Sequence, residues 1–529
     1  MTRNSSRITH RPLNIALVLI PLLLGFTCLA APDPVSPASV THAIAPGILY
    51  TQEIISGNSP LIINALRIDL KAEGVHIQTG LAHDFVSISG PYQGRETILS
   101  LAVRHHTIAA VNADFFPFTG DPLGIAIRNG ELISEPSGYR ACLGITTNKK
   151  TLLNVLTTIG SLTCVDGSKI NLGGINRVPH DGDAILLTPT FVAAPTADKS
   201  GYAILLREIT LPIKLSRSIE GTVDSVSPIS AGEKIPQTPA HCVQFVALGS
   251  ASNQLPQPCK HGDKVSVRFD VVPNSAPLVQ GRYEPDPQNI IAKAFNPVWQ
   301  NVSQAVGGGP LLIKDGEIAL DGEAEGFSKS DFIDRRHPRT AAGVDKKGSL
   351  LLVTVDGRAR GSQGASLDEM AIIMKRFGAV QAMNLDGGGS TTMVVDGLVV
   401  NTPSDGQERP VADGLLILSD YAPEVVSKYY RIALNNKLCS ENIVAVAGVP
   451  LHFQLMDAKQ RIVELRRVIW GTEEGFGFVS QSGIFTGERL GKGVVAAYFN
   501  GKKTRISVQV VGTAAPPDST VSQKDPDAP

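Results

Sequence analysis

A short polar segment between two apolar runs carries side chains suited to catalysis. In residues 382–400, "AMNLDGGGSTTMVVDGLVV", Asn384 and Asp386 precede three consecutive glycines. A carboxylate in such a place can act as a general base or as a nucleophile. The glycines allow backbone N–H groups to turn toward an anion, and Ser390 adds a hydroxyl. The segment predicts an anion-binding catalytic loop, with a ligand-free tight turn before a hairpin as the alternative.

The same Asn-x-Asp spacing occurs earlier in the chain. In "AAVNADFF" an apolar run ends at Asn112 and Asp114, and a third polar loop, "VGGGPLL", contains glycines at 307–309. We therefore expect several polar loops to converge on one cavity, although signals this short also arise by chance.

A basic segment, "RRHPRTAAGVDKKGSLLLVTVDGR", supplies Arg339 and Arg358 near Asp356. A guanidinium group grips a phosphate through two parallel hydrogen bonds. Arginines beside carboxylates indicate a site that holds an anionic substrate and keeps acids for chemistry. The alternative is a set of ion pairs on a solvated face.

The elements that must position these residues can be read around "SLDEMAIIMKRFG". Ser366 and Glu369 form a capping-box pattern, and the apolar spacing predicts a one-faced helix that stops at Gly378. Buried strands on either side end next to Asp356 and Asp386. Strand, helix, strand predicts a parallel crossover, which brings both strand ends to one edge of the sheet.

Composition and missing motifs exclude several functions. The 529 residues carry a formal net charge of -1, with 18% charged residues, so no basic field is present to attract nucleic acid. The sequence contains no H-E-x-x-H, no Walker A motif and no G-x-S-x-G around Ser390, which disfavours a zinc protease, a nucleotide hydrolase and an α/β-hydrolase.

The first 31 residues predict an export signal. Arg3, Arg7 and Arg11 precede the apolar run Ile15–Ala31, which ends in small residues suited to cleavage. We expect a periplasmic or extracellular protein with no stable membrane span after signal cleavage, because no other run approaches the ~20 apolar residues of a membrane helix. A retained membrane anchor is the alternative.

The remaining chain divides by composition. We predict an extended linker at 32–45, a main domain at 46–420 with a β-rich insertion at 149–301, a module of short alternating strands at 421–513, and a disordered tail at 514–529.

The cysteines leave two alternatives open. Without the export signal five remain, and none forms a CxxC pair, so structural zinc is disfavoured. Cys142 with Cys164, and Cys242 with Cys259, are near enough in sequence to pair in an oxidising compartment. The alternative is that most are buried free thiols.

Six segments, taken together, resemble the phosphodiester glycosidase family over residues 45–419: "VNADFF", "GGGPLL", "RRHPRTAAGVD", "VTVDGR", "MNLDGGGST" and "RPVADGLLI". The resemblance implies an α+β mixed-sheet catalytic domain with a surface cavity. It implies hydrolysis of a sugar 1-phosphodiester, of the N-acetylglucosamine-1-phospho-sugar type, at the C1–O bond. The partner would be a carbohydrate phosphodiester or a cell-envelope glycan. The module at 421–513 is similar to a small all-β, bacterial immunoglobulin-like sandwich.

The resemblance also assigns site residues. The catalytic residues would be Asp386, Asp114 and Asp356; the substrate-binding residues would be Asn112, Arg339, Thr340, Arg358, Asn384, Gly388, Gly389 and Ser390. The sequence requires no cofactor, although the oxygen ligands of Asn112, Asp114 and Asp386 would suit calcium or magnesium. Two other functions remain: a phosphodiesterase that cleaves P–O, and a non-catalytic cell-wall or polysaccharide-binding protein.

Overall fold

The computed structural model describes residues 38–87, 94–254, 259–273, 298–422, 429–439, 442–464 and 467–512. The predicted export signal and the predicted tail lie outside these residues. The linker prediction is wrong at its described end, because residues 38–45 form a strand that pairs with the next strand through its backbone.

Strands account for most elements in the described residues, and we number them along the chain. Up to residue 134 they are β1 (Ala38–Ala45), β2 (Ile48–Ile55), β3 (Leu61–Ile68), β4 (Val75–Leu81), β5 (Ala109–Asn112), β6 (Ala126–Arg128) and β7 (Glu131–Ser134). Up to residue 307 they are β8 (Ala141–Thr146), β9 (Thr151–Thr163), β10 (Lys169–Leu172), β11 (Gly174–Ile175), β12 (Ala184–Leu187), β13 (Gly201–Arg207), β14 (Ile219–Ile229), β15 (Val243–Leu248), β16 (Lys264–Pro273) and β17 (Val302–Gly307). Up to residue 419 they are β18 (Leu311–Lys314), β19 (Glu317–Ile318), β20 (Arg339–Asp345), β21 (Leu350–Val355), β22 (Ala379–Asn384), β23 (Met393–Val395), β24 (Leu398–Val399) and β25 (Asp413–Ser419). The last nine are β26 (Tyr430–Leu434), β27 (Lys437–Leu438), β28 (Ile443–Val446), β29 (Pro450–Asp457), β30 (Ile469–Glu473), β31 (Gly477–Val479), β32 (Ile484–Gly487), β33 (Gly491–Phe499) and β34 (Lys502–Val511).

Helices are short. The α-helices are α1 (Ile98–Arg104) and α2 (Leu367–Arg376). Single helical turns of other types occupy Ala82–Asp84, Gly249–Gln254, Trp299–Asn301, Lys329–Ile333 and Gly388–Ser390. Neither α-helix of the described residues has the length that a membrane crossing requires.

The strands form five sheets. An eight-stranded sheet has the order β1-β2-β3-β21-β20-β22-β18-β19, and a twelve-stranded sheet runs β11-β12-β15-β13-β14-β16-β9-β8-β17-β6-β7 with β10 paired to β9. A five-stranded sheet, β24-β23-β5-β25-β4, packs against the eight-stranded one around a shared core that includes Leu66, Val111 and Met383. Two further sheets, β27-β26-β29-β32-β31 and β28-β34-β33-β30, lie in the C-terminal region.

The α+β prediction is wrong, since the described residues hold 34 strands and only two α-helices. The helix predicted around Ser366 is present as α2, and its capping box of Ser366 and Glu369 is confirmed. The α+β class was what the family resemblance implied, and the strand–helix–strand unit around α2 is only a small part of the described residues. Tight hairpins such as Asp396-Gly397, with positive φ at both residues, keep the strands that they join antiparallel.

The predicted parallel arrangement of the two strands that flank α2 is confirmed. Both β21 and β22 pair antiparallel with β20, which lies between them, so the two strands run the same way. Their carboxyl ends, carrying Asp356 and Asn384, therefore reach the same edge of the eight-stranded sheet. The polar loops after these strands form the framework of the candidate site.

The segment predicted as a β-rich insertion shares a sheet with the rest of the chain. Its strands β9 to β16 continue the sheet that contains β8 and β17, since β9 pairs with both β8 and β16. A boundary at residue 149 therefore cuts through a continuous sheet.

The C-terminal strands surround their own core, which includes Phe453, Trp470 and Phe485. Their assignment to the immunoglobulin-like class stays a prediction. This C-terminal module, residues 430–511, also contacts the preceding domain: the Gln481 N–H donates to the buried Gln52 side chain at 2.8 Å, and Lys503 Nζ donates to the Gly397 carbonyl at 2.8 Å.

Candidate active site

The two Asn-x-Asp segments lie side by side although they come from different sheets. The Asp386 N–H donates to the Ala113 carbonyl at 2.8 Å, and Asn112 Nδ2 donates to the Asp386 carbonyl at 2.6 Å. These bonds join the loop after β22 to the loop after β5. The structure thus brings Asp114 and Asp386, predicted from separate motifs, into one place.

Asn112 and Thr340 act as the framework beneath this junction. Both are fully buried, and Asn112 Oδ1 accepts from Thr340 Oγ1 at 2.8 Å and from the Thr392 N–H at 3.1 Å. Because a buried amide left unpaired is costly, these bonds fix the relative positions of the strands. The contacts show that the two side chains orient the site from below.

Asn384 holds the second glycine-rich loop. Its Nδ2 donates to the carbonyls of Gly309 at 2.9 Å and Leu385 at 2.6 Å, while the Gly309 N–H donates to the Asn384 carbonyl at 2.7 Å. The loop that enters β18 is therefore tied to the end of β22, and Asn384 too supports the loops from a buried position.

Three carboxyl groups meet at this junction. The Asp114 N–H donates to Asp413 Oδ1 at 2.8 Å, and Asp413 Oδ2 is buried without a partner among the described residues. Burial raises the pKa of Asp413 well above its usual value, and the charges of Asp114 and Asp386 raise it further. These effects favour the protonated form of Asp413.

Asp114 and Asp386 differ in their surroundings. Burial raises the pKa of Asp114 to about 7. The N–H groups of Gly124, at 2.6 Å, and of Phe115, at 2.8 Å, oppose this rise, as does the charge of Arg140. Burial raises the pKa of Asp386 to about 6, where the Ser390 hydroxyl, the Gly387 N–H and the Arg409 charge oppose the rise. At neutral pH Asp386 is thus more ionised than Asp114.

Two arginines flank the glycine loop. A Cβ atom added to Gly388, whose φ is +61°, would lie 3.2 Å from Arg358 Nη2, and one added to Gly389 would lie 2.0 Å from Arg409 Nη2. Arg409 donates to Asp405 Oδ2 through Nη2 at 2.6 Å. The glycines therefore let guanidinium groups approach the loop backbone closely, as an anion site requires.

His337 orients Arg358. Its Nε2 lies 2.9 Å from the Asp331 carbonyl and its Nδ1 lies 3.0 Å from Arg358 Nη2. A neutral ring that donates from Nε2 and accepts at Nδ1 satisfies both contacts. Burial and the nearby arginines lower the pKa of His337, which favours that neutral form.

Arg339 has a different environment from the one expected for a phosphate ligand. It is buried, with its guanidinium donating to the carbonyls of Ala365 and Arg335 at 2.9 Å each and to that of Phe332. Burial also lowers its pKa to about 10. Its observed role is to hold the loop 332–335, and its predicted substrate contact stays a prediction.

Asp356 supports a different loop from the one that carries Asp386. Its Oδ2 accepts from the Thr402 N–H at 2.8 Å, and burial raises its pKa to about 8. In the described part of the chain none of its hydrogen bonds runs to Asp114 or Asp386. Its catalytic role stays a prediction, and its contacts place it as a support for the loop that begins at Asn401.

Sequence reasoning missed Asp413, Arg409 and Arg140. The first two stand within "RPVADGLLI", a segment quoted above whose polar residues were not singled out. Arg140 has no local signal; its guanidinium lies 4.6 Å from the Phe327 ring centre and 5.3 Å from that of Phe115, beside Asp114.

A buried polar row leads from the site across the eight-stranded sheet. Thr340 pairs with Thr354 in the next strand, Thr354 with Asn64, and Asn64 with Gln52. Asn64 Oδ1 accepts from Gln52 Nε2 at 3.1 Å, and Gln52 in turn accepts from the C-terminal module at Gln481. The framework of the site is thus continuous with the contact to that module.

The described residues at this junction do not form a metal site. No group of three His, Cys, Asp or Glu side chains in the described residues is arranged to hold an ion. Asn112 Oδ1 already accepts two hydrogen bonds, and both Asp114 oxygens accept backbone N–H groups. The geometry therefore gives no support to a cation held by Asn112, Asp114 and Asp386.

Gly307→Ala should lower catalytic efficiency by displacing Asp114. The added Cβ would lie 2.4 Å from Asp114 Oδ2 and 2.8 Å from the Gly124 Cα, where backbone cannot easily yield. A misplacement of about 1 Å costs about 10²-fold in rate, so we expect kcat/KM for the hydrolysis that the sequence resemblance implies to fall about that much. Gly173→Ala, whose Cβ would meet nothing nearer than 3.7 Å, is the matched control. Unchanged kcat/KM in a folded Gly307→Ala protein would contradict this role.

Asp413→Asn should stabilise the protein more at pH 8 than at pH 5. The pKa of Asp413 is raised in the folded protein. As pH rises from about 4 toward that folded pKa, the carboxyl ionises in the unfolded chain but stays protonated in the folded one. The wild type therefore loses about 1.4 kcal/mol of stability per pKa unit. Asparagine cannot ionise and still accepts from the Asp114 N–H. Thermal unfolding at both pH values checks this, and an equal effect of the substitution at pH 5 and pH 8 would refute it.

Comparison with known proteins agrees with the resemblance seen in the sequence. Residues 250–418 match the phosphodiester glycosidase family. The match includes Asp386, Arg409 and Asp413, whereas Asn112 and Asp114 precede it and join the site through the fold.

The similar curated proteins share only part of their length with this chain. Mouse N-acetylglucosamine-1-phosphodiester alpha-N-acetylglucosaminidase is 37% identical over 110 residues, which make up 19% of this chain and 21% of the mouse protein. The chain spans 13 to 21% of the length of the curated relatives it matches.

Solved structures show the same fold over much of the chain. A hypothetical protein from Synechocystis is 22% identical with a TM-score of 0.57, covering 73% of this chain and 64% of that one. A protein described as exported, from Burkholderia pseudomallei, is 19% identical with a TM-score of 0.54, covering 73% of this chain and 97% of that one.

Proposed function

We propose that this chain, whose residues 250–418 match the phosphodiester glycosidase family, hydrolyses a sugar 1-phosphodiester at the C1–O bond. The observation that carries the proposal is the meeting of Asp114, Asp386 and Asp413 beside a glycine loop flanked by Arg358 and Arg409. An acid cluster next to an anion-binding loop suits a substrate that has both a sugar and a phosphate.

The glycine loop and the arginines would bind the phosphate. Arg358 and Arg409 approach Gly388 and Gly389, so a phosphate there would meet two guanidinium groups, while the N–H groups of Gly388 and Ser390 already donate to the carbonyls of Pro338 and Gly387. The guanidinium groups would stabilise the negative charge that collects on the phosphate as the C1–O bond breaks. The leaving group is a phosphomonoester, a weak base at neutral pH, so it needs less protonation than an alcohol.

Asp386 would act on C1. Its pKa of about 6 leaves it largely ionised at neutral pH, as a nucleophile or a base for water requires. Asp114, with a pKa of about 7, would hold a proton over part of the neutral range and could supply it to the departing oxygen. Protonated Asp413 limits repulsion within the cluster.

Release of free sugar tests the proposal. The full chain would be incubated with N-acetylglucosamine-1-phospho-mannose and related sugar 1-phosphodiesters, in water labelled with heavy oxygen. Label in the released sugar at C1 supports the proposal, whereas label in phosphate indicates P–O cleavage by a phosphodiesterase. Binding of glycans without any turnover, from folded protein, would indicate a non-catalytic binding protein.

We also propose that the protein is exported. The arginines and apolar run before residue 32 support export, and the similar Burkholderia protein is described as exported. A cell-envelope glycan is then an accessible substrate class. Fractionation of cells that express the full chain tests this, and protein found solely in the cytoplasm would refute it.

A further inference from the structure

Two cysteines that are 95 residues apart in the chain meet in the twelve-stranded sheet. Cys164 Sγ and Cys259 Sγ lie 2.9 Å apart, and both residues are buried. This distance exceeds the length of a disulfide bond, about 2.05 Å, by less than about 1 Å. If the two sulfur atoms form a covalent bond, their close approach needs no hydrogen bond between thiols to explain it.

The strands around the pair hold the cysteines in register. Cys164 directly follows β9 and Cys259 lies just before β16, and these strands pair antiparallel with Thr163 opposite Ser266. The turn after Cys164 closes with its N–H donating to the Ser168 carbonyl at 2.9 Å. The backbone therefore brings the two side chains together without requiring either loop to move far.

This pairing differs from the one expected from sequence proximity. Cys142 with Cys164, and Cys242 with Cys259, are wrong as pairs, because the thiol of Cys142 donates instead to the Asn154 carbonyl at 3.1 Å and Cys259 faces Cys164. Nearness in sequence misled here, since β9 and β16 are neighbours in the sheet although about a hundred residues separate them.

The surroundings of the pair favour a covalent link over a metal site. Both cysteines belong to an apolar core with Tyr202, Phe245 and Phe269. No His, Asp or Glu in the described residues joins them as a third ligand. A disulfide would remove both S–H groups from this core.

We propose that Cys164 and Cys259 form a disulfide bond in this protein. The bond would form by thiol–disulfide exchange with a protein disulfide or a small-molecule disulfide such as oxidised glutathione. The two thiols lose two protons and two electrons as the S–S bond forms, and the donor disulfide is reduced to two thiols. The proposal is independent of the glycosidase reaction, and its failure would leave that reaction untouched.

Burial determines when the bond forms. Burial, together with the neighbouring Cys164, raises the pKa of the Cys259 thiol to about 12. The thiolate, which is the attacking species, is therefore scarce once the sheet has closed. Exchange takes place before the core closes, and the finished bond is shielded from reductants in the native protein.

Peptide mapping tests the pairing. The full chain is unfolded and refolded with excess oxidised glutathione, free thiols are alkylated in denaturant, and trypsin is added. Cys164 lies in the tryptic peptide 151–169, whereas Cys242 and Cys259 share the peptide 235–260. The Cys242→Ser variant is therefore mapped in parallel, so that the second peptide contains Cys259 alone.

The expected result is a linked pair of peptides 151–169 and 235–260 in both proteins, with four of the six cysteines alkylated in the full wild-type chain and three of five in Cys242→Ser. Reduction before alkylation should separate the peptides and make all six reactive. Six reactive thiols without reduction, or a link that involves Cys142 or Cys439, would overturn the proposal.

A second measurement separates a disulfide from a packing role of the two side chains. Wild type should lose thermal stability when fully reduced and refolded, and Cys439→Ser should lose the same amount. Cys164→Ala should show no dependence of Tm on reductant, because the bond is already missing. A reductant-dependent Tm that persists in Cys164→Ala would overturn the proposal even if the variant is destabilised.

Discussion

Asp386→Asn should reduce the rate of sugar release by at least about 10³-fold while leaving the protein folded. Asparagine has the shape of the aspartate and keeps an oxygen to accept the Gly387 N–H, which the wild-type carboxylate accepts at 2.8 Å. It can neither attack C1 nor take a proton from water. The backbone N–H of residue 386 still donates to the Ala113 carbonyl, so the junction of the two loops survives.

Asp396→Asn is the matched control for Asp386→Asn. Asp396 follows β23 in a hairpin, and burial raises its pKa to about 7, so it resembles Asp386 in chain context and environment. It lies in a different cavity, beside Tyr498 and Arg467. Both variants are compared by sugar release and by thermal unfolding. Wild-type turnover in Asp386→Asn, or equal loss in both variants, would remove Asp386 from the chemistry.

Asp114→Asn should remove the alkaline limb of the pH profile and lower the rate by about 10²-fold. In the wild type, kcat/KM should rise as Asp386 loses its proton near pH 6 and fall as Asp114 loses its proton near pH 7. These values belong to interacting groups, so the profile reports the cluster. Asparagine at 114 cannot ionise, so activity should stay level above pH 7.

The acid limb provides the internal control in the Asp114→Asn experiment. Asp114 has the higher pKa and is neutral while Asp386 titrates, so replacing it leaves the limb near pH 6 in place. The measurement is kcat/KM for sugar release between about pH 4.5 and 9. An alkaline limb that persists in Asp114→Asn, or an acid limb that disappears, would assign the two roles differently.

The sequence located half of the site because that half rests on local signals. The capping box of Ser366 and the apolar strands around α2 set the ends of β21 and β22, and these place Asn384 and Asp386 at one sheet edge. No contact over a long chain distance is needed for that inference, which makes it accessible to pattern reading.

The other half depends on contacts between distant parts of the chain. Asp413 meets Asp114 across 299 residues, and the burial that raises their pKa values comes from the packing of two sheets. Sequence spacing carries no record of such burial. Arg339 shows the opposite error: its type suggested a phosphate ligand, while its burial assigns its guanidinium to backbone carbonyls.

The fold class was missed for a related reason. The α+β expectation came from the family resemblance, and the helix signal of α2 is local, whereas the pairing of β9 with β16 or of β3 with β21 leaves only weak alternation in the sequence. Strand order is decided by which apolar faces meet, and that is settled by the whole chain.

The contacts of the C-terminal module bear on how such a protein can change during evolution. Gln481 caps a polar row that ends beneath the site, and Arg489 donates to the Ser404 carbonyl at 2.8 Å, close to the loop that carries Arg409. A recombination event that exchanged this module for an unrelated one would expose the Gln52 side chain and remove a support of the arginine loop. We therefore expect the main domain and the C-terminal module to be inherited together and to diverge as a single unit of selection. Their order in the chain alone suggests two interchangeable pieces.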